Sequence, residues 1–168
     1  MVGYFGMQRG RKRRFAGSSP ARQEFADKVL VINRVAKKIK GGDKIGFTAL
    51  VAVGNRKGKI GLGYGRARDL RSAIEKAKTK AKKNIFSVPL KGPTLPRRIQ
   101  VKEGAGVVLL MPAPSGAGLI AGGVVRNILK LAGAIDASAK ILGTDNPMTN
   151  AKATIKALKM LEDEDGAK

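Results

Sequence analysis

The chain has 168 residues, with 34 lysines and arginines against 12 aspartates and glutamates, so its formal charge at neutral pH is +22. It contains no cysteine and no histidine, which excludes disulfides, thiolate zinc sites and catalysis through an imidazole. A hydrophobic content of 43% is ordinary for globular proteins, so a folded chain is expected. Because such a charge repels itself, the sequence points to a polyanionic partner, either nucleic acid or an anionic membrane surface.

The positive charge is concentrated in the middle of the chain. Residues 1–24 carry a net charge of +5, residues 25–89 carry +13 and residues 90–168 carry +4. The first segment has no hydrophobic periodicity, so we expect a flexible basic arm that orders on a polyanion, or else a solvated terminus. The charges of the second segment lie within folded elements, which favours nucleic acid over a membrane. The third segment is interpreted as a supporting or protein-contacting unit.

Hydrophobic patterns predict a β-β-β-α unit followed by a second mixed unit. In the first unit the predicted elements are strands at 28–39, 45–53 and 59–64, a basic loop between the first two strands, a short hairpin connection at 55–58, and a helix from Leu70 to about Ile85 capped by Asp69. In the second unit they are strands at 97–101 and 107–111, a helix at 119–131 ended by Gly133, a strand at 139–142 and a helix that starts after Pro147 and runs to about Leu161. The predicted division is a basic arm at 1–24, domains at 25–89 and 97–161, a linker at 90–96 and a frayed acidic tail at 162–168.

An uncharged stretch at 104–125 is long enough to suggest a membrane span. Pro112, Pro114 and the glycines that follow them are turn residues, however, and they divide the stretch into a buried strand, a loop and the start of a helix. The N-terminus lacks the apolar run of a secretory signal. We therefore predict no membrane association.

The basic loop between the first two strands is the main candidate for RNA contact. Its cations are Arg34, Lys37, Lys38, Lys40 and Lys44. Gly41 and Gly42 allow a tight turn or the close approach of a phosphate. Structured RNA is bound largely through phosphates, 2′-hydroxyls and shape, which such a loop can contact. Because the loop and both neighbouring turns are basic together, the prediction is that this loop contacts RNA; the alternative is a solvated hairpin tip.

The third strand is interrupted by glycines, which weaken a strand unless another backbone comes close. The glycines are Gly58, Gly61, Gly63 and Gly65, and the cations around them are Arg56, Lys57, Lys59, Arg66 and Arg68. A phosphate backbone would explain the pattern, and bulges in an edge strand are the alternative. Tyr64 and Phe47 could stack on bases, although core packing is the preferred interpretation for Phe47.

One motif resembles a dinucleotide site. Gly116, Gly118 and Ala121 follow a predicted strand, and Asp136 lies twenty residues after Gly116. The prolines before these glycines and the lack of further βαβ units argue against such a site. The preferred interpretation is that the glycines shape a helix entrance whose free amides could hold an RNA phosphate.

The sequence predicts no enzyme, because no pair of carboxylates is spaced as acid and base. No catalytic residue, metal ligand or cofactor is assigned. Two alternatives stay open: a dinucleotide-binding enzyme, and a general nucleic-acid or anionic-lipid binder with no preferred RNA.

Several motifs together resemble one known family. They are Val31-Ile32-Asn33-Arg34-Val35, Lys40-Gly41-Gly42, Phe47-Thr48-Ala49-Leu50-Val51, Gly61-Leu62-Gly63-Tyr64-Gly65-Arg66-Ala67, Ala73-Ile74-Glu75-Lys76-Ala77, Gly118-Leu119-Ile120-Ala121-Gly122-Gly123, Val125-Arg126 and Asn146-Pro147. In this order they resemble the small-subunit ribosomal protein five family, of bacterial or organellar type, over about residues 25–161.

The resemblance implies an α+β fold, in which a double-stranded-RNA-binding-like β-β-β-α domain precedes a β/α domain with a left-handed βαβ crossover, against the usual right-handed rule. It implies a structural constituent of the small ribosomal subunit that binds small-subunit ribosomal RNA (rRNA) where head and body meet and supports subunit assembly. It further implies contacts with small-subunit proteins four and eight, a place beside the path along which messenger RNA (mRNA) enters, and an influence on decoding accuracy. The implied location is cytoplasmic, on the ribosome, with an organellar ribosome as the alternative.

The segment 33–42 matches the family's long RNA-inserting loop near the spectinomycin site. Charge and resemblance together give these expected rRNA-binding residues: Arg34, Lys37, Lys38, Lys40, Gly41, Gly42, Lys44, Arg56, Lys57, Lys59, Gly63, Arg66, Arg68 and Arg126. The chain departs from the family pattern in three places: added charge in the turn at 54–58, no arginine at 104–108, and Met-Thr-Asn after Asn146-Pro147.

Overall fold

The computed structural model describes residues 25–165, with side chains described as far as Glu162. The predicted basic arm at 1–24 and the last three residues of the predicted tail lie outside the described residues.

The first half of the described chain is an antiparallel sheet with one helix on it. Its elements are β1 (Ala26–Ile39), β2 (Gly42–Gly54), β3 (Lys59–Ala67), α1 (Leu70–Lys83) and β4 (Ile85–Ser87). The strand order is β1-β2-β3-β4. The predicted helix end at Ile85 is wrong because Ile85 pairs with Gly61 as part of β4, which the sequence did not predict. Asp69 occupies the N-cap position of α1, but its side chain makes no capping hydrogen bond.

Helix α1 packs on the sheet through small residues. Ala73, Ala77 and Ala81 are completely buried and lie in one cluster with Val51 and Val53 of β2. Alanines at this spacing form one face of the helix and let its backbone come close to the strands. Strand β2 therefore turns Ala49, Val51 and Val53 toward α1.

The second half is a smaller mixed sheet with two helices. Its elements are β5 (Ile99–Glu103), β6 (Gly106–Pro112), β7 (Leu119–Ile120), α2 (Gly123–Ala132), β8 (Ala137–Ile141) and α3 (Pro147–Asp165), and the strand order is β5-β6-β8-β7. Strand β7 is parallel to β8, so β7, α2 and β8 form a βαβ unit. The predicted α+β fold with these two parts is confirmed; the left-handed sense of the crossover stays a prediction.

Two helix boundaries in this half differ from the sequence prediction. Helix α2 starts at Gly123 and not at Leu119, because Leu119 and Ile120 pair with Ala137 and Ser138 of β8. Helix α3 continues past Leu161 to Asp165. Neither proline nor glycine interrupts it before Gly166, so no strong helix breaker ends it earlier.

The two halves share one hydrophobic core. Leu50 and Ile60 lie on the sheet face opposite α1 and are buried with Ile128, Leu129 and Leu158 of the second half. Strand β2 is therefore buried on both faces, and its hydrophobic residues do not alternate with polar ones over Ala49–Val53.

The predicted linker at 90–96 is packed against the second half. Leu95 is only 1% exposed, and the Pro93 carbonyl accepts hydrogen bonds from the backbone N–H groups of Ile135 and Asp136 at 2.8 and 3.0 Å. No helix among the described residues is both long and apolar enough to span a membrane.

Candidate RNA-binding surface

The predicted basic loop is a two-stranded ribbon that projects from the first sheet. We call residues 35–46 the hairpin arm. Pairing between β2 and β3 begins at Phe47, so within the described residues the arm has only its own two strands. The rise per residue in a strand gives the arm a length of about 20 Å. The loop between the predicted strands is shorter than expected, because β2 begins at Gly42 and not at Ile45, so that Asp43 and Lys44 pair with Lys38 and Lys37 across the ribbon.

The cations of the hairpin arm are exposed and close to one another. Lys37, Lys38, Lys40 and Lys44 are all exposed, as is Arg34 at the base of the arm. Lys37 lies directly opposite Lys44, and like charges at such positions destabilise a ribbon. No ion pair found among the described residues involves a side chain of the arm. A bound polyanion would replace this repulsion with attraction.

The tip of the arm is a tight turn that depends on glycine. Gly41 and Gly42 have φ values of +94° and +143°, which residues with a Cβ rarely adopt. No atom lies within 4 Å of the position that a Cβ would occupy at either glycine. The turn therefore leaves its backbone open to a ligand from outside.

The basic turns lie at opposite ends of β2. Arg66 pairs with Thr48 near the base of the arm, and Arg68 follows at the end of β3. The turn with Arg56 and Lys57 lies at the other end of β2, and Lys59 begins β3 there. The 13 residues of β2 separate the arm tip from this turn by about 40 Å. The predicted residues thus form two separate cationic regions.

The second cationic region lies where the two halves meet. The turn after β2 docks on the end of α2: the Arg56 N–H donates to the Leu131 carbonyl at 2.9 Å, and the Gly58 N–H donates to the Ala132 carbonyl at 2.8 Å. Beside this contact is a depression of about 430 Å³ lined by Arg56, Arg126 and Lys130. Lys130 is not among the rRNA-binding residues expected from the sequence, although its spacing of four residues from Arg126 places both on one helix face.

The glycines of β3 have a structural explanation that the sequence did not reveal. A Cβ at Gly61, Gly63 or Gly65 would overlap a backbone carbonyl oxygen of α1. The backbone that approaches the strand is therefore that of α1, and not that of a nucleic acid. Gly63 is buried beneath the helix. The expectation that Gly63 contacts rRNA is therefore wrong, because α1 occupies the space on the open side of this glycine.

The dinucleotide-like motif is also explained by internal contacts. Asp136 is 3% exposed, and its carboxylate accepts hydrogen bonds from the backbone N–H groups of Gly116 at 3.1 Å and Gly118 at 2.7 Å. An acid engaged in this way is not available for a ribose hydroxyl. The same contacts occupy the amides that we expected to be free for an RNA phosphate, so that prediction is wrong at these two glycines.

The described residues offer little else for catalysis or metal binding. No group of three or more acidic side chains in the described part is arranged to hold a metal ion. Glu103 accepts a 2.8 Å hydrogen bond from the Lys156 Nζ atom, and this bond together with the charge of Lys156 lowers the pKa of Glu103. That pair lies on the second half, at the side of a groove between the two halves.

Comparisons with known proteins agree with the two-part structure. Residues 25–89 match the family model for the N-terminal domain of ribosomal protein S5, and residues 101–166 match the model for its C-terminal domain. The chain is 47% identical over 153 residues to the small ribosomal subunit protein uS5 of Brucella anthropi, an alignment that covers 90% of this chain and 82% of the relative.

Proposed function

The chain belongs to the ribosomal protein S5 family, and on that premise we propose that it binds small-subunit rRNA by inserting its hairpin arm. It is a non-enzymatic structural protein of the small ribosomal subunit. The observation that carries the proposal is the projecting ribbon, whose exposed lysines take part in no ion pair found among the described residues.

The arm suits the deep grooves and junctions of folded RNA. A ribbon about 20 Å long can enter a space between RNA helices that a flat protein surface cannot reach. Lysines on both of its faces then contact phosphates on both sides, and the open turn at Gly41 lets the backbone approach closely. The contacts neutralise phosphates and follow shape, so the energy is mainly electrostatic.

We further propose that the second cationic region, around Arg56, Lys57 and Arg126, contacts a second RNA segment. The two regions are separated by about 40 Å along β2, and the shared core holds them in fixed relation. One protein molecule can then brace two parts of the folded rRNA against each other. This arrangement supports the role in subunit assembly that the family resemblance implies.

The more specific roles on the ribosome are proposed from the resemblance to the family. We propose contacts with small-subunit proteins four and eight, a position beside the path of entering mRNA, and an influence on decoding accuracy. The proposed location is the cytoplasm, on the ribosome. Sedimentation of a native lysate through a sucrose gradient tests the assignment: the chain should travel with the small subunit in moderate salt, and a position at the top of the gradient would contradict it.

The arm is tested by replacing Arg34, Lys37 and Lys40 together with alanine. All three are exposed, so the thermal midpoint should change little, whereas incorporation into reconstituted small subunits should fall severalfold. The matched control replaces Lys91, Lys102 and Lys140, which are also exposed, and so removes the same charge from elsewhere on the protein. Equal loss of incorporation in both variants would show that total charge, and not the arm, is what binds.

A further inference from the structure

One edge of the first sheet is uncovered beside an exposed tyrosine. Strand β4 pairs only with Lys59–Gly61, so among the described residues no strand covers β3 beyond Gly61. Tyr64 lies in this uncovered stretch and is 40% exposed. Tyr64 lines two depressions: a small recess toward the start of α3 and, around the uncovered edge of β3, a groove beside α1. It pairs with Leu50, so its side chain lies on the face of the sheet opposite α1, where the recess is. Tyr64 therefore stands between them.

The groove beside α1 has the charge of a phosphate-binding surface. It has a volume of about 560 Å³, and its cations are Arg66, Lys76, Lys80 and Lys83. The three lysines follow one side of the helix, and Lys76 and Lys80 are about 6 Å apart along its axis. Its one acid, Glu75, is held by Arg71 at 3.3 Å. The groove therefore keeps a strong excess of positive charge.

The recess on the other side of Tyr64 is small and partly polar. Its volume of about 120 Å³ corresponds to roughly four water molecules, which suits one small planar group and is far below that of a drug-sized pocket. Asn33 and Asn146 line it together with Met148. No hydrogen bond among the described residues engages the Asn33 side-chain amide, and Asn146 uses only its Oδ1 atom, which accepts from the Met148 N–H at 3.0 Å. Amide groups therefore remain for a ligand.

We propose that Tyr64 and these two depressions form a binding site for an unpaired RNA nucleotide. Its base stacks on the Tyr64 ring and reaches the recess at Asn33, while the neighbouring phosphates lie in the groove against Lys76 and Lys80. The base must be unpaired because a base inside a duplex is stacked and cannot enter a recess of this size. The inference rests on the proposed RNA binding and adds to it a site for single-stranded RNA, apart from the hairpin arm.

The composition of the chain provides a direct probe of this site. The chain has no tryptophan, and Tyr4 and Tyr64 are its only tyrosines. In full-length protein carrying Tyr4→Phe, Tyr64 is the only tyrosine emitter, and a base stacked on it should quench its fluorescence. The probes are a twelve-residue oligoadenylate, a blunt sixteen-base-pair RNA duplex and protein-free small-subunit rRNA. Quenching by the oligoadenylate shows that the site accepts a free strand. If the rRNA is the only probe that quenches, the site takes an unpaired nucleotide of folded RNA.

Variants at position 64 distinguish the contribution of stacking to RNA affinity from the contribution of charge. Tyr64→Leu removes the ring but no charge and should weaken binding of the quenching RNA by about fivefold to a hundredfold, whereas Tyr64→Phe should retain most of the affinity. Matched thermal midpoints show that the variants are folded. No quenching by any probe, or equal quenching by the duplex, would overturn the site. The proposed function would survive that result if rRNA still bound with steep salt dependence.

Discussion

The Oδ1 atom of Asp136 accepts a 2.7 Å hydrogen bond from the backbone N–H of Gly118, eighteen positions earlier in the chain. Its Oδ2 atom accepts a second bond from Gly116, and the side chain is almost completely buried. The acid that made the sequence resemble a dinucleotide-binding protein is therefore used to fix the loop that carries the glycines. The glycines and the acid of the apparent motif thus both have a structural role.

Replacing Asp136 with asparagine should destabilise the protein. It should not abolish any cofactor-dependent activity, because Asp136 has a structural role. The change removes the charge from a buried acceptor of two hydrogen bonds and turns an NH₂ group toward one of the amides, at a cost of about 2–3 kcal/mol. Thermal unfolding should show a fall of roughly 5–10 °C in the midpoint. Calorimetric titration of the unmodified protein with NAD should give no binding heat; saturable binding would restore the dinucleotide hypothesis.

Gly63→Ala should be strongly destabilising. The new methyl group would overlap the Ala77 carbonyl oxygen, so α1 must move away from the sheet and lose part of its packing. We expect a loss of about 3 kcal/mol in unfolding free energy, measured by denaturant titration. Gly123→Ala is the control, because no atom lies within 4 Å of its Cβ position, and it should change stability little. Similar stability for the two variants would contradict the assigned helix contact.

Gly133→Ala tests the docking of the turn after β2. Gly133 has φ +104°, and a Cβ there would overlap the Arg56 carbonyl oxygen. Gly41 has a comparable φ of +94° but no atom within 4 Å of its Cβ position. Gly41→Ala therefore reports the backbone strain alone, and Gly133→Ala should cost about 2 kcal/mol more. If urea unfolding shows the same loss of unfolding free energy in both variants, the turn after β2 is free to move away from residue 133.

The Glu103–Lys156 pair predicts a pH dependence with a definite sign. The folded-state pKa of Glu103 is lowered mainly by its hydrogen bond with Lys156, so the pair stabilises the folded state above the ordinary carboxyl pKa of 4.5 and loses this effect as pH falls through the lowered value. In Lys156→Ala the Glu103 pKa, followed by NMR, should rise toward 4.5. The difference in thermal midpoint between the two proteins should shrink as the pH falls below 4.5, and growth of that difference would contradict the assignment.

Binding of protein-free small-subunit rRNA should weaken steeply with salt. Each phosphate that a lysine or arginine neutralises releases counterions, so replacing Arg34, Lys37 and Lys40 with alanine should lower the slope of log affinity against log salt by about 2–3. The control variant of Lys91, Lys102 and Lys140 should keep the slope close to that of the unmodified chain. An unchanged slope in the arm variant would show that these side chains do not reach phosphates.

Local patterns located most elements to within a few residues, and the errors have a common cause. The missed strand β4 and the late start of α2 involve short segments, Ile85–Ser87 and Leu119–Ile120, that pair with strands distant in sequence. Two or three residues carry too little periodicity to distinguish a strand from a helix end. Their structure is set by a partner strand, which the local sequence does not specify.

The candidate RNA-binding surface also combines features that the local sequence predicted with features that depend on distant parts of the chain. The sequence identified the cations of the arm and its glycine turn, because the charge and the Gly-Gly pair are local features. It did not show that Arg56 lies about 40 Å from the arm tip, nor that Tyr64 stands between two depressions. Those facts depend on strand register and on the position of α1 and α3.

The sequence by itself determined the excess of positive charge, the lack of imidazole and thiol chemistry, and the order of motifs that marks the family, since all three are properties of the chain's composition and local pattern. The tertiary structure decided which cations are neighbours, and it explained the glycines of β3 by the approach of α1 and Asp136 by the amides of its loop. A glycine or a buried acid is required by whatever lies against it in space. Packing brings these partners together from distant parts of the chain.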